Sequence, residues 1–147
     1  MKINLKKTNK NAIIPTRGHE TDAGCDLYAC FEFPNFKVFL HPGEVLKVST
    51  GIALEIPEGY FGAVYARSGL ATKQGLRPAN CVGIIDAPYR GEIIVALYND
   101  SMKPQIISHG DRIAQLVIQP VLNVDFNVVD ELSDTDRGEG GFGSTGK

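Results

Sequence analysis

Several features that would redirect the reading of this chain are missing. Basic residues are not in excess: 15 Lys and Arg stand against 17 Asp and Glu, for a formal net charge of −2. A nucleic-acid backbone favours a basic stripe, so no nucleic-acid partner is expected. Four lysines near the start (Lys2, Lys6, Lys7, Lys10) read as a solvated first strand and its flank. No apolar run approaches the ~20 residues that span a bilayer. The opening Met1–Lys7 lacks the apolar core of a signal peptide. A cytoplasmic protein without membrane contact is therefore expected. Cysteines number three (Cys25, Cys30, Cys81), an odd count with no C-x-x-C spacing, which does not suggest a disulfide framework or a zinc site. Reduced thiols are the expectation. If Cys25 and Cys30 share one strand, their odd spacing puts them on opposite faces. No internal repeat or linker interrupts the 147 residues, a length that suits one domain.

What is present has a period of two. Ile52, Leu54 and Ile56 alternate with Ala53 and Glu55, as in a half-buried strand. Residues 45–49, 62–66, 93–98 and 113–118 are further short β-rich runs. Turn signals separate them: His41-Pro42-Gly43-Glu44, Ile56-Pro57-Glu58-Gly59 and His109-Gly110-Asp111. Many short, closely spaced strands predict an all-β sandwich, barrel or jelly roll.

Two segments break the pattern. Ser68-Gly69-Leu70-Ala71-Thr72-Lys73 holds good helix formers, opens on a capping residue and is followed by Gly75, which predicts one short helix. Its first N–H groups would be unpaired and favour a phosphate, although on this segment alone a plain helix cap is the better reading. Residues 138–146 hold five glycines in nine and cannot bury enough apolar surface to order themselves. A frayed tail is the ordinary reading of such a stretch. Arg137 just before it and Phe142 within it suggest instead an arm that clamps a nucleotide. No Lys-Ser/Thr pair follows a glycine frame, so it is not a P-loop.

Five motifs stand in order along the chain: Ala23–Ala29, Arg67–Ala71, Asn80–Glu92, Gly110–Leu116 and Arg137–Thr145. Together they resemble the trimeric dUTPase family over nearly the whole length. The resemblance implies a jelly-roll-like β-barrel subunit over residues 1–136 with one short helix, and a flexible arm over 137–147 that closes over the active site. It implies a homotrimer with sites built at subunit contacts, and Mg²⁺-dependent hydrolysis of dUTP to dUMP and pyrophosphate. That reaction keeps uracil out of DNA and supplies dUMP for dTMP synthesis.

Residue by residue, the resemblance makes Asp86 the base or orienter of the attacking water, and Tyr89 the ring that packs on deoxyribose and leaves no room for a 2′-hydroxyl. Asn80 and the backbone near Gly83 match the uracil-reading hairpin. Arg67, Ser68 and Gly69 match the phosphate-binding turn, and Gln115 a phosphate ligand through its amide. Arg137, Phe142, Gly143, Ser144 and Thr145 match the arm's contacts with nucleotide. Asp26 matches the acid that meets Mg²⁺ through water only, in keeping with a metal held mainly by phosphates and water. Read without the motifs, Asp86 is a turn aspartate, Tyr89 a half-buried hairpin tyrosine and Gln115 a polar residue on the outward face of a strand. Asp111 is expected to orient its neighbours, and His19, His41 and His109 to face solvent. Ala87-Pro88, between Asp86 and Tyr89, departs from the polar or acidic residue that many relatives carry there, and Pro88 biases Ala87 towards an extended backbone.

Two other functions share this fold. A dCTP deaminase needs a proton shuttle at the pyrimidine C4 amine; the Asp86–Tyr89 spacing and the complete fifth motif favour hydrolysis. A regulatory protein of phage origin would bind dUTP and a protein partner as a switch.

Overall fold

The structure, a computed structural model, describes residues 1–141. The expected arm contacts at Phe142, Gly143, Ser144 and Thr145 lie outside the described residues. The described chain is all-β with one short helix: β1 (Asn4–Lys7), β2 (Cys25–Tyr28), β3 (Lys37–Leu40), β4 (Val45–Ser49), β5 (Ile52–Glu55), β6 (Tyr60–Tyr65), α1 (Ser68–Gln74), β7 (Leu76–Pro78), β8 (Val82–Ile85), β9 (Ile94–Asn99), β10 (Gln105–Ser108) and β11 (Arg112–Pro120). They form four antiparallel sheets in the orders β1-β5, β3-β10, β2-β11-β6-β8 and β4-β9-β7. The architecture is the jelly-roll-like β fold. Among the described residues its strands, three to nine residues long, pair as small packed sheets and do not join into one continuous ladder.

The core between the sheets is aliphatic. Leu27, Leu40, Ile52, Leu76, Ile93, Leu97 and Ile113 are each fully buried, and each such side chain contributes about 1.5–3 kcal/mol relative to exposure. The alternation read along β5 is incomplete: Ala53 is buried as well as Ile52 and Leu54, because both faces of this strand are covered. Asn99, also fully buried, has every polar atom bonded: its amide donates to the carbonyls of Leu40 and Lys103, both at 2.8 Å, and its oxygen accepts from the Ser101 amide and hydroxyl. It ties the end of β3 and the turn at Ser101–Lys103 to β9 from inside the core.

Cys25 opens β2 and Cys30 lies past its end, so the two do not share a strand. His19 and His41 are exposed, as expected. His109 differs: it is half-buried, and its Nδ1 accepts a hydrogen bond from the Phe31 amide at 3.1 Å. Asp111 closes its turn by accepting from the Ser108 amide at 2.7 Å.

Past β11 the chain changes character. The Val121 amide still donates to the Gly59 carbonyl, at 2.9 Å. Residues 122–130 belong to no strand, and Leu122, Val124, Phe126 and Val128 are between 64% and 94% exposed. No helix among the described residues is long and apolar enough to cross a membrane.

Candidate active site

Strand register builds the first half of the site. Asp26 on β2 pairs with Gln115 on β11, which pairs in turn with Tyr65 on β6. Directly paired residues carry their side chains on the same face, so Asp26 and Gln115 share a face with Tyr65. Arg67 follows Tyr65 by two residues in extended backbone (φ −81°, ψ 133°) and returns to that face. Three sequence-distant motifs thus meet. The Arg67 guanidinium donates through Nε to Asp26 Oδ1 at 2.6 Å. The Gln115 amide donates to the Ala66 carbonyl at 2.9 Å. Gly24 leaves room for this: a Cβ there would collide with Gln115 Oε1 and lie 3.3 Å from its Cδ.

The sequence reading gave Arg112 no role, although it lies in the fourth motif. Strict alternation would put it on the face opposite Gln115. A β-bulge between Arg112 and Ala114 inserts one residue, so Arg112 pairs with Tyr28 and turns to the face of Asp26. Its NH1 lies 3.3 Å from Asp26 Oδ2. The Asp26 side chain, only 15% exposed, is therefore gripped by two guanidiniums. Nothing in a period-two reading signals this, because a bulge is a property of the pairing.

α1 forms as expected, closed by Gly75 in the left-handed region (φ 68°). The expected cap is corrected: Arg67 occupies the N-cap position and makes no side-chain cap bond, while Ser68 is the first helical residue. An extended Arg67 is what lets its side chain reach Asp26, and it leaves Ser68 and Gly69 at the open end of the helix. Asp26, Arg67, Ser68, Gly69, Arg112 and Gln115 all line one cleft of about 750 Å³.

The second half of the site lies elsewhere. Val82, Ile84 and Asp86 face solvent along β8, with Gly83 between them buried. A Cβ on Gly83 would sit 3.3 Å from the Asn80 amide nitrogen, so the two expected uracil-reading positions do adjoin. The hairpin expected here is not formed. β8 pairs with β6, whereas β9 pairs with β4 and β7, so residues 86–93 cross from one sheet to another. The Tyr89 amide donates to the Asp86 carbonyl at 3.0 Å, closing a turn over Ala87-Pro88. Tyr89 is 45% exposed, more than the half-buried position expected, and its hydroxyl donates to the Glu92 carbonyl at 3.0 Å.

Within one chain the two halves do not meet. Asp86 continues β8 past the Ile85–Gly62 pair, while Arg67 lies beyond the Tyr65–Val82 pair at the other end of the same ladder. At about 3.3 Å per residue this is a separation of roughly 20 Å. The groove at Asp86, with Phe61, Ile84 and Asn123 in its walls, shares no residue with the Arg67 cleft. Arg137 is also apart: its Nε donates to the Gly140 carbonyl at 2.8 Å within a local turn.

Residues 10–146 match the family model described as dUTPase. The chain belongs to the dUTPase family. It is 50% identical to the deoxyuridine 5′-triphosphate nucleotidohydrolase of Corynebacterium glutamicum, over 99% of this chain and 95% of the relative. Among solved structures, a variant of the Staphylococcus bacteriophage 80alpha dUTPase with dUpNHpp superposes with a TM-score of 0.89 at 33% identity, covering 99% of each chain. A variant dUTPase from phage phi11 of S. aureus, described with a structural Mg(II) ion, gives a TM-score of 0.77 at 29% identity, over 89% of this chain and 98% of that one.

The residues present fit an Mg²⁺ carried on phosphates. No cluster of three or more His, Cys, Asp or Glu side chains among the described residues could cage a metal. Asp26 lines the cleft, and a carboxylate has about four acceptor positions, so its two guanidinium partners leave it able to accept from a metal-bound water.

Proposed function

We propose that this chain hydrolyses dUTP to dUMP and pyrophosphate. The observation that carries the reading is the Asp26–Gln115–Tyr65 rung, which gathers Arg67, Ser68, Gly69 and Gln115 round one cleft suited to phosphates. Arg67 and the open end of α1 supply N–H donors to phosphate oxygens, with the Gln115 amide beside them. Asp86 orients and deprotonates the water that attacks the α-phosphorus. Asn80 and the backbone at Gly83 read uracil, and Tyr89 packs on deoxyribose. Mg²⁺, when bound with the nucleotide, supplies charge neutralisation on the phosphates, with Asp26 holding its water shell. Residues 137–147 form an arm whose Arg137, Phe142, Gly143, Ser144 and Thr145 close over the nucleotide.

The working unit is a homotrimer. A water can attack only when the reacting atoms are about 3–3.5 Å apart, and a triphosphate seated at Arg67 cannot present its α-phosphorus to an Asp86 at the far end of the same ladder. Asp86 of one subunit therefore serves the phosphate cleft of a neighbour. Incubation with dUTP and Mg²⁺ tests the reaction: dUMP and pyrophosphate are the expected products, and release of ammonia from dCTP without dUTP cleavage would replace this reading with the deaminase.

A further inference from the structure

We infer that Glu92 and Gly91 are positioning residues for Tyr89, and that through it they set the preference for deoxyribose over ribose. The inference rests on the reading above that Tyr89 packs on the sugar.

Tyr89 lies on an exposed crossover, yet it is held at three points, one on the backbone and two on the ring. Its amide is bonded to the Asp86 carbonyl at 3.0 Å. Its ring covers Gly91: a Cβ there would collide with Tyr89 Oη and lie 2.5 Å from Cζ. Gly91 is needed for space and not for backbone freedom, since it is absent from the glycines with positive φ. The phenol hydroxyl donates to the Glu92 carbonyl at 3.0 Å.

The carbonyl that receives the hydroxyl is itself fixed. Glu92 is half-buried, and its Oε1 accepts from the Gly51 amide at 2.8 Å. The next residue, Ile93, is fully buried; its carbonyl accepts from the Thr50 hydroxyl at 2.6 Å and its amide donates to Ile52 at 2.9 Å. Gly51 can take its place there only as glycine, with φ 70° and a would-be Cβ 2.7 Å from Cys30 Sγ. A chain of contacts thus runs from the core turn at Thr50–Ile52 through the Glu92 carboxylate and carbonyl to the Tyr89 hydroxyl. A ring so tethered cannot swing aside. An untethered ring can, and would make room for one extra hydroxyl on the sugar.

The test compares kcat/KM for dUTP and UTP in Glu92→Ala, Glu92→Gln, Tyr89→Phe and Tyr89→Ala. Glu92→Ala is expected to narrow the dUTP/UTP ratio roughly threefold to tenfold, the scale of one lost hydrogen bond, through gained activity on UTP and with kcat for dUTP little changed. Glu92→Gln keeps an oxygen for the Gly51 amide and is expected to restore the ratio. Tyr89→Phe keeps the ring but loses its anchor and should narrow the dUTP/UTP ratio to a similar extent, which maintains the test if Glu92→Ala does not fold. A ratio that stays at the wild-type value in Glu92→Ala or Tyr89→Phe, while Tyr89→Ala narrows it, overturns the tether. A ratio unmoved by Tyr89→Ala overturns the sugar-packing reading itself.

Discussion

At the scale of single residues, chemistry and stability rest on different side chains. Asp86 is exposed and placed by a turn. Asp86→Asn keeps its shape but loses the base, and general-base catalysis is worth ~10²–10⁴ in rate. Turnover of dUTP is expected to fall by that order while nucleotide binding, measured by calorimetry, persists; near-normal turnover would remove Asp86 from the chemistry. Cys30 belongs to the stability side. Burial pushes its thiol above the ordinary value, the charge of Glu92 adds to this, and Lys7 acts in the opposite direction. The folded protein therefore keeps a proton that the unfolded chain gives up, and the linked stability is complete below the ordinary thiol pKa of about 8.5 and is lost as pH rises beyond it. Denaturant melts of wild type and Cys30→Ala are expected to converge as pH is raised from about 8 to about 10. A constant gap would mean that the thiol makes no titrating contribution.

At the scale of elements, the two ends of the terminal stretch predict different truncations. The segment after β11 carries an exposed apolar series at Leu122, Val124, Phe126 and Val128, a surface that a lone chain leaves in water. Residues from Arg137 onward carry almost no apolar surface. Deleting everything after Asp136 should leave melting temperature and assembly size nearly unchanged while turnover drops severely, because the proposed closure over nucleotide would be lost. Deleting everything after Pro120 should also reduce the assembly, since it removes the apolar series. Size-exclusion chromatography with light scattering separates the two. Full activity in the shorter deletion would make the Arg137 arm a frayed end.

At the scale of the whole molecule, the separation of Asp86 from the Arg67 cleft would, in the proposed homotrimer, make activity a property of the assembly. Asp86→Asn and Arg67→Ala trimers should each be nearly inactive. Co-refolded in equal amounts, they should recover about a quarter of wild-type activity, because in a closed three-fold ring that fraction of shared sites draws an intact residue from each neighbour. No recovery would place both residues in one subunit's site. The proposed neighbour would also cover the apolar face of β8, where Ile84 is 55% exposed beside Asp86.

Much was legible in the sequence because it follows from local rules. The short β-rich runs at 45–49 and 113–118 marked β4 and most of β11, turn signals at Gly43, Gly59 and Gly110 marked turns, and helix formers before Gly75 marked α1. The five motifs, in their order along the chain, resembled the dUTPase family, to which the chain belongs. The tertiary structure decided what pairing and register control. The β11 bulge re-aims Arg112, β8 chooses β6 rather than β9, and half-burial gives His109 a backbone partner. It also decided that Asp86 and Arg67 stand apart in one chain. Each of these depends on which distant strand lies alongside, and sequence spacing carries no record of that choice.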